Sequence, residues 1–140
     1  MKKAKLPLLF ALATTLMACP QKDDDMPPEP MDSIIGTWKY FKSYENGEEV
    51  TLEPCDTEET LIYSANGAYS GSNYDEVNGT CELEETTSGT WTKNGSIYNI
   101  TIEGETESQE PVFEEDTFYL EYSDTEGSTT TTYKEVYKRQ

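Results

Sequence analysis

The sequence predicts an all-β fold, an eight-stranded antiparallel up-and-down barrel that follows a cleaved signal segment. Asn-Gly pairs at 46–47, 66–67 and 94–95 each lie between runs rich in Tyr, Ile, Thr or Val. Asn-Gly suits the type I′ turn of a β-hairpin. Apolar and polar residues alternate along these runs with the period of a half-buried strand. After the signal segment, no window keeps a helical period, so strands are expected throughout.

Eight strands are expected around these turns, and a short helical turn is expected at 32–35. The strands are predicted at 36–45, 48–52, 57–65, 68–75, 80–93, 96–103, 112–122 and 128–138. Ser88-Gly89 is expected to bend the long fifth strand, because glycine often marks a bend in a strand. A meander of short strands can close on itself and remove its exposed edges. A barrel is therefore favoured over a two-sheet sandwich.

The first residues of the chain have the order of a secretory signal peptide. Three lysines precede an apolar stretch at 6–16. This stretch is too short for a membrane-spanning helix, which needs about 20 residues. Leu16-Met17-Ala18-Cys19 resembles the bacterial lipobox, in which the cysteine is lipidated after cleavage. Residues 1–18 are therefore expected to be removed and Cys19 to carry lipid; in the alternative, the signal peptide is an ordinary one and Cys19 is incidental.

Residues 19–32 are expected to form a lipidated tether that is acidic and proline-rich. Pro20-Gln21-Lys22-Asp23-Asp24-Asp25 resembles the surface-export signal of lipoproteins in Bacteroidota-type bacteria, and a solvated acidic spacer explains it equally well. Each buried methylene of an acyl chain adds about 0.8 kcal/mol, so several chains give a stable membrane anchor. The expected location is the outer membrane, facing either the periplasm or the cell surface.

The net charge of −18 limits the partners of the chain. The signal segment holds three lysines and no acidic residue, so the remaining chain is more negative by three charges. Such a chain repels phosphate backbones, and no nucleic-acid partner is expected. Acidic chains often stay disordered. Here ten tyrosines, four phenylalanines and two tryptophans supply aromatic area for a core, so residues 33–140 are expected to fold as one domain.

Cys55 and Cys81 remain as a pair once Cys19 carries lipid. In an oxidising compartment they are expected to form a disulfide, which stabilises the fold by about 3 kcal/mol. Free thiols and a metal pair are the alternatives. The metal pair is disfavoured because the chain has no histidine and no zinc-finger spacing. Neither a metal site nor a cofactor is expected.

The chain lacks the sequence motifs of common catalytic sites. Without histidine, no histidine-based triad or dyad is available, and neither a phosphate-binding glycine loop nor a Gly-x-Ser-x-Gly elbow occurs. Paired carboxylates arise from composition alone in a chain with 28 acidic residues. No catalytic residue is predicted, and the protein is not expected to be an enzyme.

The body of the chain resembles the lipocalin-like domains of lipoproteins in Bacteroidota-type bacteria. The resemblance rests on several short segments in order: Ile35-Gly36-Thr37-Trp38, Cys55, Leu61-Ile62-Tyr63, Asn66-Gly67-Ala68-Tyr69, Cys81, Gly89-Thr90-Trp91 and the closing run at 133–139. Gly36-x-Trp38 is similar to the lipocalin signature, whose tryptophan plugs one barrel end beneath a basic side chain. The resemblance thus implies that Trp38 and Arg139 form such a plug.

The inward strand faces supply candidate residues for lining a pocket that holds a small hydrophobic ligand. These candidates are Tyr40, Tyr63, Tyr69, Tyr98, Ile100, Phe118, Leu120 and Tyr133. A barrel of this size either holds one small molecule or is filled by side chains. With a filled barrel, the alternative function is a cell-surface interaction or structural module, whose protein or glycan partner the sequence does not identify.

Overall fold

A computed structural model describes residues 31–140, so the predicted signal peptide, Cys19 and most of the tether lie outside the described residues. The described chain forms ten strands and one 3-10 turn. The strands are β1 (Gly36–Glu45), β2 (Glu48–Val50), β3 (Thr60–Tyr63), β4 (Ala68–Val77), β5 (Thr80–Asn94), β6 (Ile97–Ile102), β7 (Glu105–Gln109), β8 (Val112–Glu114), β9 (Thr117–Glu126) and β10 (Thr129–Arg139). The 3-10 turn covers Asp56–Glu58. Within residues 31–140, no helix has the length and apolar character needed to cross a membrane.

All ten strands belong to one antiparallel sheet. The hydrogen-bonded order is β7-β6-β5-β4-β3-β1-β10-β9-β8, and β2 pairs with β1 beside this path. Strands that follow one another in the chain are neighbours in most of the sheet. The first strand also pairs with the last, so the meander curls back on itself. The prediction of an all-β antiparallel fold is confirmed, and the sheet is single rather than a sandwich of two.

The strand count and the closure of the sheet differ from the eight-stranded closed barrel that was predicted. Residues 105–109 form β7 where no strand was expected, and the predicted strand at 112–122 divides into β8 and β9 around Glu115-Asp116. Among the described strands, β7 and β8 end the sheet and no ladder joins them; the chain links them through Glu110-Pro111. Proline lacks the N–H that a ladder needs, and β8 has three residues. We call this gap between β7 and β8 the seam.

Positive backbone angles identify the tight turns, and of the three Asn-Gly pairs predicted to form type I′ turns only one has them at both residues; at 66–67 and 94–95 only the glycine does. Asn46 and Gly47 have φ angles of 50° and 85°, as the type I′ turn predicted at this Asn-Gly pair requires. Asn78-Gly79, a further Asn-Gly pair that was not used in the prediction, makes the turn from β4 to β5 in the same way, with φ angles of 53° and 80°. The strand predicted at 57–65 is shorter than expected because the 3-10 turn occupies its beginning.

The core lies on the concave face of the sheet around Trp38. The buried residues that form one apolar cluster are Ile34, Trp38, Tyr63, Tyr98, Ile100 and Phe118. The Trp38 ring is fully buried and packs edge-on against Phe118, with 4.7 Å between ring centroids. The ring centroids of Phe113 in β8 and Tyr98 in β6 are 6.2 Å apart, although these strands are near opposite ends of the sheet. The sheet therefore curls around its apolar face.

A disulfide joins Cys55 and Cys81, which confirms the predicted pair. It connects the residue before the 3-10 turn to the beginning of β5, and the two Cα atoms are 5.5 Å apart. Closing a loop between residues separated by 26 positions stabilises the folded chain by about 3 kcal/mol in the chain-entropy model.

Candidate functional site

One end of the curled sheet is closed by Arg139 and Trp38, which face each other on the paired strands β10 and β1. The guanidinium carbon lies 4.2 Å from the centre of the Trp38 ring. Arg139 Nη1 donates to the Ile35 carbonyl at 2.7 Å, and Nη2 donates to the Ser33 carbonyl at 2.6 Å. The guanidinium thus covers the indole and fixes the backbone of residues 33–35, which lead into β1. We call this region the sealed end.

Gly36 leaves the space that the guanidinium of Arg139 occupies. Its φ angle is 145°, which L side chains rarely adopt, and a Cβ atom there would lie 2.5 Å from Arg139 Nη1. This gives a physical reason for a glycine two positions before Trp38.

Asp32 also contacts the folded domain near the sealed end, although the sequence analysis assigned it to the tether. Its carboxylate accepts hydrogen bonds from Tyr98 Oη at 2.6 Å, Lys93 Nζ at 2.7 Å and the Ile34 amide at 3.1 Å. Burial opposes ionisation of Asp32, but the hydrogen bonds from Lys93 and Tyr98 hold the pKa of this carboxyl below its ordinary value. The folded domain therefore includes Asp32.

The eight predicted lining residues do not lie together. Four are buried in the core, two line the cleft described next, and two lie elsewhere. Tyr63, Tyr98, Ile100 and Phe118 belong to the buried core. Tyr40 packs against Tyr137 with ring centroids 5.3 Å apart. Tyr133 borders a separate depression of about 640 Å³ that Tyr44 also lines. Only Tyr69 and Leu120 of the eight line the cleft described next, and Tyr69 and Ile100 also line an adjoining depression of about 470 Å³.

A cleft of about 400 Å³ opens between the two ends of the sheet. Hereafter called the cleft, it is lined by side chains from β3, β4, β7, β9 and β10 and from the link after β7: Leu61, Tyr69, Glu107, Ser108, Gln109, Glu110, Leu120, Glu121, Tyr122, Glu135 and Tyr137. Its wall combines apolar and aromatic side chains with carboxylates. Within residues 31–140, no group of three or more Asp, Glu, Cys or His side chains is placed to hold a metal ion.

Glu135 is the best-defined polar group in the cleft. Its two carboxylate oxygens accept hydrogen bonds from Tyr122 Oη at 2.8 Å and from Tyr137 Oη at 3.2 Å. Burial and the hydrogen bond to Glu135 raise the pKa of Tyr122 to about 12. Burial and the same carboxylate also raise the pKa of Tyr137. Both phenols therefore stay protonated at neutral pH and hold the carboxylate in place.

Sequence reasoning missed most of the cleft, for two different reasons. Leu61 and Tyr122 each lie two positions from a predicted lining residue on the same strand, and Tyr137 lies four positions from Tyr133, so strict alternation would have found them. Glu107 and Gln109 had no such signal, because β7 contains no apolar residue. Their inward positions follow only from the pairing of β7 with β6, opposite Ile100 and Tyr98.

The curled antiparallel sheet, its sealed end and its interior cleft define a small barrel-like β domain with room for a ligand. Comparison with models of known families matches residues 34–126 to the lipocalin-like domain. The chain therefore belongs to the lipocalin-like domain family, which confirms the lipocalin-like part of the predicted resemblance. A search of curated proteins finds no match to the chain.

Proposed function

We propose that this protein is a membrane-anchored lipoprotein whose lipocalin-like domain binds a small hydrophobic ligand in the cleft. The cleft is the observation that carries this proposal. Its volume of about 400 Å³ falls within the roughly 300–1,000 Å³ of typical small-molecule sites. Leu61 and Leu120 supply apolar wall, and the tyrosines add aromatic surface together with hydroxyl groups. The proposed role is binding without catalysis.

The filled half of the interior limits the size of the ligand. Trp38 and Phe118 are fully buried and pack against each other, so they leave no room beside the sealed end. The ligand therefore contacts Tyr69 and Leu120 rather than the tryptophan, and only a small molecule fits.

The anchor is proposed from the lipobox-like segment that ends at Cys19. The first described residues run along the sealed end, where Arg139 binds the carbonyls of Ser33 and Ile35. A tether that leads from these residues to an acylated Cys19 would hold this end of the domain near the outer membrane. Protease treatment of intact cells distinguishes the two orientations, because a domain on the cell surface is cleaved and a periplasmic one is protected.

Extraction of the purified full chain tests the ligand proposal. We expect mass spectrometry of the organic extract to detect a small molecule that co-purifies with the chain. Tyr122→Ala should deplete it, because Tyr122 lines the cleft and is half exposed, so that its loss spares the core. Tyr119→Ala, on the opposite face of β9, is the matched control. An extract that is empty for the unaltered chain contradicts ligand binding and favours the filled interaction module.

Labelling cells with radioactive palmitate tests the anchor. The unaltered chain should carry the label and sediment with membranes, and Cys19→Ala should lose both properties. Cys55→Ala/Cys81→Ala is the control, since it removes the disulfide and leaves the proposed lipid site. Label that persists in Cys19→Ala would show that the anchor is wrongly placed.

A further inference from the structure

The wall of the cleft carries negative charge and no positive charge. Its acidic side chains are Glu107, Glu110, Glu121 and Glu135, and no lysine or arginine is among the described residues that line it. A site of this kind repels an anionic ligand and attracts a cationic one. The cleft is also aromatic, so its charge comes together with surfaces suited to an apolar body.

The basic side chains of the described domain are engaged elsewhere. Four lysines form ion pairs: Lys39 with Glu58, Lys42 with Glu49, Lys93 with Asp32, and Lys138 with Asp116. Arg139 covers Trp38, and Lys134 Nζ lies 3.6 Å from the ring centre of Tyr119. None of the four paired carboxylates lines the cleft. Within residues 31–140, no basic side chain therefore neutralises the negative charge of the cleft wall. A ligand or solvent ions must supply the positive charge.

Glu135 is already positioned for a cation. Two phenol groups hold its carboxylate oxygens, so a ligand that binds there does not have to order a mobile side chain. A cation over the face of a tyrosine ring is attracted by the negative charge of that face. Tyr69 and Tyr122 bring such rings to the same wall. Carboxylate and aromatic groups thus converge on one place.

We propose that the ligand of the cleft is a small organic cation, an amine or quaternary ammonium compound with an apolar body. This inference rests on the proposed function and names its ligand class. The cationic group lies near Glu135 and the tyrosine rings, and the apolar body contacts Leu61 and Leu120. An organic ion fits better than a metal ion, because no group of three or more acidic side chains in the described chain is arranged as a metal site.

Three fluorescent probes that share one aromatic body test the charge preference. Dansylcadaverine is cationic at neutral pH, dansylamide is neutral and dansylglycine is anionic. Their emission is titrated with the purified full chain at physiological ionic strength, which screens long-range attraction to the acidic surface. We expect dansylcadaverine to bind about tenfold more tightly than dansylamide, and dansylglycine to bind most weakly.

The preference should depend on the carboxylates of the cleft and not on the overall charge. The double variant Glu107→Gln/Glu135→Gln should remove most of the difference between dansylcadaverine and dansylamide. Glu82→Gln/Glu84→Gln removes the same charge from the exposed surface of β5 and should change nothing. Circular dichroism checks that each variant is folded, and the single variant Glu107→Gln, at an exposed position, serves if the double variant is not.

The outcomes separate this inference from the proposed function. Equal binding of the three probes, or a cation preference that survives the double variant, overturns the cationic ligand and leaves the cleft as a binding site. If dansylcadaverine fails to bind at all, the cationic ligand is also overturned. The extraction experiment then decides ligand binding independently, because it assumes no charge.

Discussion

Arg139 makes three contacts at the sealed end, one with the Trp38 ring and two with backbone carbonyls. Arg139→Lys should lower the free energy of unfolding by about 1–2 kcal/mol, because an ammonium group cannot cover the indole and reach both carbonyls together. Urea denaturation measures the loss. Lys138→Gln is the neighbouring control; it breaks an exposed ion pair of 3.5 Å and a contact of 5.4 Å with the centre of the exposed Phe41 ring, and it should have little effect. Equal losses in the two variants would contradict a specific role for the guanidinium.

Asp32 should make the stability of the domain depend on acid. Because hydrogen bonds in the folded state hold the Asp32 pKa below its ordinary value of 3.8, ionised Asp32 stabilises the fold above that value. This contribution disappears as the pH falls through the lowered pKa of the folded state. The difference in unfolding free energy between the unaltered chain and Asp32→Asn should therefore shrink between about pH 5 and pH 2. Denaturation curves across that range test this. A difference in unfolding free energy that grows as the pH falls would contradict a lowered pKa for Asp32.

At the scale of elements, Gly89 in β5 permits a close approach between neighbouring strands. A Cβ atom at Gly89 would overlap the backbone carbonyl of Thr101 in β6. Gly89→Ala should therefore cost about 1–3 kcal/mol, because a backbone cannot move aside as a side chain does. Gly71→Ala is the comparison: its Cβ would meet the side chains of Thr87 and Tyr69, so the loss should be smaller. Thermal unfolding of the two variants ranks them, and the reverse order would contradict this account.

The strands that sequence predicted well are those with apolar alternation and a recognisable turn. β1 was predicted with its observed bounds, since Trp38 and Tyr40 alternate with polar residues and Asn46-Gly47 ends the strand. β7 was missed because Glu105–Gln109 is entirely polar, and its pairing with β6 supplies the order that its own residues do not indicate. The turn between β8 and β9 was missed because Glu115, with a φ angle of 50°, is not a typical residue for a positive angle.

The cleft was harder to predict than the fold, for a related reason. The apolar residues Tyr69 and Leu120 were recognised as inward-facing from the sequence. The glutamates were not, because in a chain with 28 acidic residues an inward carboxylate looks like any other. Glu135 becomes distinctive only where two tyrosine hydroxyls from β9 and β10 meet it.

For the whole molecule, acidic residues outnumber basic residues 28 to 10, so the basic side chains are too few to pair with most of the carboxylates. We expect added sodium chloride to raise the free energy of unfolding at neutral pH, because screening relieves repulsion more than it weakens the few exposed ion pairs. Denaturation at increasing salt concentration measures this. The effect should be smaller at about pH 4, where part of the carboxylates are protonated. A fall in stability with salt at neutral pH would mean that attraction dominates the surface.

The seam leaves two strand edges whose backbone groups are free to template another polypeptide, which is the usual route to polymerisation of β proteins. The composition of β7 opposes such pairing between copies. Glu105 and Glu107 would face like charges if two copies of this edge met, and Pro111 removes a donor next to the other edge. Neighbouring molecules would thus be kept apart by the same acidic strand that borders the cleft.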